Sequence, residues 1–379
     1  MKNSMFFVLV LNAVIIAFPI AAAAQYKVVR GERPPVDLNQ VRPDDIVSGV
    51  LKIKLADHVS KDFSDLSLSY DAQGIPMIGV ASVDHLNRLH RAKEIIQDYS
   101  VISAQSRYTD RHIAWGFHLW YTIRFDESTD IINLVGQFES LPEVAIAEPE
   151  YRKSLIGNAP PRDVPAPENF NPAEPAAFWT PDDPRYNEQW HYHNTGQQNG
   201  TPDADIDLPE AWDIEKGDPE VIIAIIDEGI QFTHVDLAAN MWEGIGFNFQ
   251  NNTPNINPGN HGTHVGGTIS AVNNNTVGVS GIAGGSSAAG NGVRLMSCQV
   301  FSGFSSGGFA QAPVWAADNG AAISQNSWGY TSQGNYNQDV LDAIDYFNAN
   351  GGGDAILDGG LTIFAAGNSN SDGAWYPGY

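Results

Sequence analysis

A chain of 379 residues is longer than one ordinary core organises and predicts about two folded units joined by a linker. With 44 acidic against 20 basic side chains, its formal charge of −24 argues against nucleic acid as a partner, because phosphates need Lys and Arg, and leaves carboxylates available to hard cations. The single cysteine, Cys298, excludes an internal disulfide, so stability must come from core burial, with bound metal left open as an addition.

In chain order, Met1-Lys2-Asn3 is followed by an apolar run over 5–20, four alanines at 21–24 and the polar Gln25. This three-part plan predicts a secretory signal peptide over 1–24, and hence a secreted, extracellular protein, with cell-envelope association left open. A membrane anchor is the alternative, but the run is short and Asn12 and Pro19 interrupt it, so no stable span is expected after signal removal.

Residues 25–156 alternate between two periods. Strand-like alternation over 49–55, helical spacing over 83–96, alternation over 117–125, helical spacing over 131–141 and a short strand over 144–146 predict a small α+β domain of ferredoxin-like type. Residues 157–184 crowd Pro160, Pro161, Pro165, Pro167, Pro172, Pro175, Pro181 and Pro184 into a stretch without apolar period, the composition of an extended linker. From 185 to 379, apolar runs at 221–226, 295–301 and 361–366 alternate with helical segments at 264–272, 310–319 and 339–348. Continuous β-branched runs belong to strands buried on both faces, which predicts an α/β unit with a parallel sheet between helices. Cys298 falls inside one such run, 293–301, and reads as structural.

Three segments carry chemistry. The run 221–226 delivers Asp227 at its carboxyl end, where α/β sheets build their sites, although an Asp before Gly229 also suits a turn. The segment HGTHVGGT, 261–268, puts His261 at the mouth of a glycine-bearing helix. His261 and His264 also have a spacing that metal ligands use, but no HExxH pattern accompanies them. The apolar run 361–366 ends in Gly367-Asn368, whose amide suits either an oxyanion donor or a turn.

These three motifs in this order resemble the subtilisin-like serine proteases, from about Asp183 to the end of the chain. The resemblance implies a subtilisin-like sheet with helices on both faces, an Asp–His–Ser triad, and a propeptide before it. Asp227 would support the imidazole of His261, the general base, while His264 would pack structurally and Asn368 would donate to the oxyanion. Ser327, Trp328 and Gly329 would pair with substrate backbone, so the implied partners are protein or peptide substrates and the chain's own propeptide as an intramolecular inhibitor. Asp236 with Asn274 and Asn275 would form a structural Ca²⁺ site, a plain Asn-rich turn being the other reading; which of the two amides faces the ion is open.

The resemblance breaks at two places. Glu228 stands where the family usually has Ser or Thr, putting a second carboxylate beside the triad. The nucleophile's Gly-Thr-Ser-x-Ala-x-Pro is absent, and Ser286, Ser287 and Ser369 fall at the wrong places in the motif order. The expectation is therefore a serine beyond Tyr379 and no acyl transfer by these 379 residues alone. The alternative is a non-catalytic protein that binds peptides or inhibits proteases through its N-terminal unit.

Overall fold

The computed structural model describes residues 26, 28–31, 34–156, 178–303 and 305–368. The expected signal peptide and most of the Pro-rich linker lie outside these residues.

The N-terminal sheet is organised by β1 (Ile46–Leu55), most of whose residues are buried on both faces. After β1 come α1 (Ala81–His90), β2 (Glu94–Gln97), β3 (Trp120–Arg124), α2 (Ile131–Glu139) and β4 (Val144–Tyr151). The four strands are antiparallel in the order β2–β3–β1–β4, the βαββαβ arrangement of the expected ferredoxin-like unit. Register places Ile53 between Tyr121 and Ala147. The α2 helix starts at Asp130, whose carboxylate accepts from the Asn133 N–H, and it buries Ile131, Leu134, Val135 and Phe138 at helical spacing.

Two sequence expectations change here. The helix predicted over 83–96 stops at His90, because Arg91 takes a left-handed conformation at φ 56° and the chain re-enters the sheet as β2. No glycine or proline marks that break, so the apolar spacing of Ile95 and Ile96 reads as continued helix when it belongs to a strand. The strand predicted over 117–125 begins with a 3₁₀ turn, Phe117–Leu119.

Apart from the two-residue strand Ser305–Ser306, antiparallel to its neighbour, the second sheet is parallel, in the order β7–β8–β6–β9–β11, from β6 (Ile222–Glu228), β7 (Met241–Asn248), β8 (Arg294–Ser302), β9 (Ile323–Asn326) and β11 (Leu361–Phe364). Ile223, Ile225 and Leu295 face α3 (Asn260–Ser270), with Val265 and Ile269 packed against them. Ala224, Ile226, Met296, Cys298 and Val300 face the other way, into the core that holds α4 (Gln311–Asp318) and α5 (Gln338–Asn350). Burial on both faces is why these strands read as unbroken apolar runs.

The N-terminal sheet docks on the α4 and α5 face and shares its core. Its rim is ionic: Lys54 meets Asp342 at 2.8 Å and Lys52 meets Asp339 at 2.6 Å, all four buried. The chain then leaves β4 through β5 (Lys153–Leu155), which pairs antiparallel with β10 (Trp328–Tyr330), Leu155 opposite Trp328 and Ser154 opposite Gly329. Residues 178–184, the end of the proline-rich segment, pack onto the C-terminal unit through Trp179, 5.2 Å from the Trp212 ring, and through buried Asp183. Among the described residues no helix is long and apolar enough to cross a membrane.

Candidate active site

Asp227 is the penultimate residue of β6, at the carboxyl edge of the parallel sheet, and is fully buried. Across from it, His261 opens α3 and sets Nδ1 at 2.8 and 2.9 Å from the two Asp227 carboxylate oxygens. The approach requires glycine at 262, where a Cβ would lie 2.2 Å from the Glu228 carbonyl oxygen.

Glu228, the departure noted in the sequence, has a structural task there. Its Oε2 accepts from the backbone N–H of His261 at 2.9 Å, placing a carboxylate on the first turn of α3. Its side chain lies where a Cβ at residue 259 would be, 2.3 Å from Oε2, so Gly259 makes room for it. The sequence signal was available as an acid after Asp227 together with a glycine before the helix, but only the fold shows that they meet.

The hydrogen bond that His261 Nδ1 donates to Asp227, against partial burial, and then the Asp227 charge, the Ile156 carbonyl and the Glu228 charge raise the His261 imidazole to about 8. Burial pushes the Asp227 carboxyl up, opposed by the hydrogen bond from His261. His261 Nε2 sits 3.0 Å from the Ile156 carbonyl oxygen. With Nδ1 donating to Asp227, Nε2 meets a carbonyl only by donating as well, so this contact favours the imidazolium.

Ile156 is held at its other end too, its N–H donating to the Ser327 carbonyl at 2.8 Å. The expected substrate-pairing residues Ser327, Trp328 and Gly329 thus lie along the chain's own segment 154–156, with Trp328 1% exposed and its Nε1 donating to Asn326. Asn368 follows Gly367, at φ 94°, past the end of β11 on the same carboxyl edge of the sheet, and is exposed. His264 does not pack as the resemblance implied: it is exposed and lines a cavity of about 590 Å³ with Trp190, His191 and His234.

At the expected calcium loop, Asp236 is buried and accepts from Asn275 Nδ2 at 2.8 Å and from the Val279 N–H at 3.0 Å. Asp183, which the sequence reading did not single out, joins it by accepting from the N–H groups of Asn274 and Asn275 at 3.1 Å and from Ser280 Oγ at 2.8 Å. Gly278, at φ 57°, lets the loop close on Asp236, since a Cβ there would lie 2.3 Å from Oδ2. Burial first, with Asp183 adding, pushes the Asp236 carboxyl up. Among the described residues, no group of three or more His, Cys, Asp or Glu is arranged to hold a metal. Asp236 and Asp183 are both buried carboxylates, the oxygen type that a Ca²⁺ site uses, and here each is met by N–H donors of the loop.

Residues 218–378 match the model of the Subtilase family. Among curated proteins the chain is similar to neuroendocrine convertase 2 of Bos taurus, 37% identical over 121 residues, which cover 30% of this chain and 19% of that protein. It is also similar to thermitase of Thermoactinomyces vulgaris, 32% identical over 204 residues, covering 53% of this chain and 62% of that protein. The chain therefore spans less than two thirds of the length of either relative. Among solved structures, fervidolysin of Fervidobacterium pennivorans, described as a keratinolytic enzyme related to subtilisin, superposes with a TM-score of 0.55 at 18% identity, over 88% of this chain and 42% of that one. The motif order, the parallel sheet with Asp227 and His261 at its carboxyl edge, and the match over 218–378 together show a subtilisin-like domain of the Subtilase family over those residues.

Proposed function

We propose that the chain belongs to the precursor of a secreted serine endopeptidase whose triad is Asp227, His261 and a serine supplied from outside residues 1–379. The observation that carries this reading is the Ile156 carbonyl resting against His261 Nε2 while the Ile156 N–H is fixed on Ser327, so that a peptide unit is presented to the base. Asp227 holds the Nδ1 proton and supports the imidazolium; His261 takes the serine proton and returns it to the leaving amine; the Asn368 amide donates to the oxyanion.

Residues 25–156 act on this reading as a propeptide that occupies the cleft, supported by the β5–β10 pairing and by the imidazolium that Ile156 favours, the wrong state for a base. Residues 1–24 direct export. A structural Ca²⁺ ion would be held by Asp236, Asp183, Asn275 and carbonyls of residues 272–279, with Asn274 contributing through its backbone; bound only to the folded state, it raises stability by mass action.

Hydrolysis of an unfolded protein by the full product of the gene tests the reading, with His261→Ala expected to lower the rate by about 10⁶-fold. Thermal unfolding of the same protein after chelation should show a lower melting temperature, as should Asp236→Ala. Hydrolysis that survives His261→Ala contradicts the triad, and no hydrolysis at all favours a peptide-binding or protease-inhibiting role. A melting temperature unmoved by chelator removes the calcium site.

A further inference from the structure

We infer that the cleft is built to take a basic side chain four residues ahead of the cleaved bond, and that the first bond it is offered is the one between Ile156 and Gly157. The inference rests on the hydrolytic reading above and names its substrate class.

The register sets the position. Ile156 is the residue whose carbonyl lies at His261 Nε2, 3.0 Å away, and whose N–H is tied to Ser327. Leu155 and Ser154 pair with Trp328 and Gly329, and Lys153 pairs with Tyr330. Hydrolysis here adds water across the C–N bond after Ile156, leaving a carboxylate on Ile156 and an amine on Gly157. Lys153 is then the fourth residue counted back from that bond.

Lys153 does not extend to solvent, as a lysine on an edge strand normally does: its side chain is 1% exposed. Its Nζ lies 5.0 Å from the ring centre of Phe309 and 4.8 Å from that of Tyr330, and it donates to Asn337 Oδ1 at 2.8 Å. Those three residues belong to the C-terminal unit and stay when the segment leaves. Tyr330 is itself fixed, its hydroxyl accepting from the Asn337 N–H at 2.9 Å. Two buried ring faces and an amide oxygen form a recess suited to a cation.

The remaining Lys153 contacts come from its own segment. Nζ donates to Glu150 Oε1 at 2.6 Å and to the Tyr151 carbonyl at 3.1 Å. Against burial, the charges of Lys153 and Lys52 hold the Glu150 carboxyl below its ordinary value. The segment thus brings an acid that neutralises its own lysine inside the recess. Free substrates need not carry that acid, and this separates a property of the cleft from a private pairing within β4 and β5.

The test uses the full product of the gene. The mature enzyme should begin at Gly157, and peptides with Ile before the cleaved bond and no acid upstream should be cleaved with a kcat/KM roughly tenfold higher for Lys than for Glu at the fourth position. Asn337→Asp should widen that ratio and Asn337→Leu should narrow it. Cleavage of these peptides with no basic preference, or a preference present only when an upstream Glu is restored, overturns the inference and leaves the hydrolytic reading standing. A mature N-terminus elsewhere overturns the register. Failure to cleave any peptide overturns both.

Discussion

Two Asp–His pairs with nearly the same geometry sit in this chain, and only one of them is placed for chemistry. His261 Nδ1 lies 2.8 Å from Asp227, and His112 Nε2 lies 2.8 Å from Asp318. The second pair even has a serine in line, Ser103 Oγ, 2.8 Å from His112 Nδ1. Yet His112 is 0% exposed and Ser103 1%, whereas the His261 side chain keeps 21% of its surface and faces a peptide carbonyl. Residue types and distances alone do not make an active site; access for a reacting atom does.

The sealed string has a different task, because it bridges the two units. Asp318, at the end of α4, accepts from His112 and Arg111 of the N-terminal unit, each at 2.8 Å, from Ser106, and from the Tyr346 hydroxyl at 2.6 Å. Against burial, these hydrogen bonds hold its carboxyl below the ordinary range. Asp318→Ala would strand Arg111 and His112 in a buried interface. A loss of about 3–5 kcal/mol is expected in denaturant unfolding of the whole chain, with the His261 titration unchanged. A stable Asp318→Ala variant would show that the string is dispensable and would blur the contrast.

A smaller effect, on protonation, sharpens the other half of the comparison. NMR of the His261 imidazole should give a midpoint near 8, as Asp227 first and then the Ile156 carbonyl and Glu228 dictate. Asp227→Asn should bring it below the ordinary value of about 6.5, and Glu228→Gln should move it less in the same direction. Because the folded value is raised, this pair stabilises the fold fully below pH of about 6.5 and loses that contribution as pH rises through 8. A midpoint that stays put in Asp227→Asn would mean that the 2.8 Å contact does not set the imidazole's state.

What the sequence revealed and what it hid follow the same division. Asp227 and His261 were legible because a sheet buried on both faces announces its strand ends, and because Gly262 beside the His marks a helix start that must come close, whereas Gly267 meets no neighbour. Five of the six elements of the N-terminal unit were legible from period; the strand Glu94–Gln97 was not, because Arg91 ends the preceding helix without glycine. Glu228 was visible as an oddity but not as the group that holds the start of α3, since that contact spans the gap between β6 and α3. Asp183, Lys153 and the string of Ser103, His112 and Asp318 gave no local signal, because their partners lie far along the chain and no period links them.

The most direct test of the distinction is a fluorophosphonate probe, which labels only an activated serine, applied to the full product of the gene with the labelled residue located by mass spectrometry. The account expects one labelled serine, outside residues 1–379, and loss of that label in His261→Ala but not in His112→Ala. Label on Ser103, or on any serine within residues 1–379, persisting in His261→Ala, would contradict it and assign the chemistry to the wrong pair.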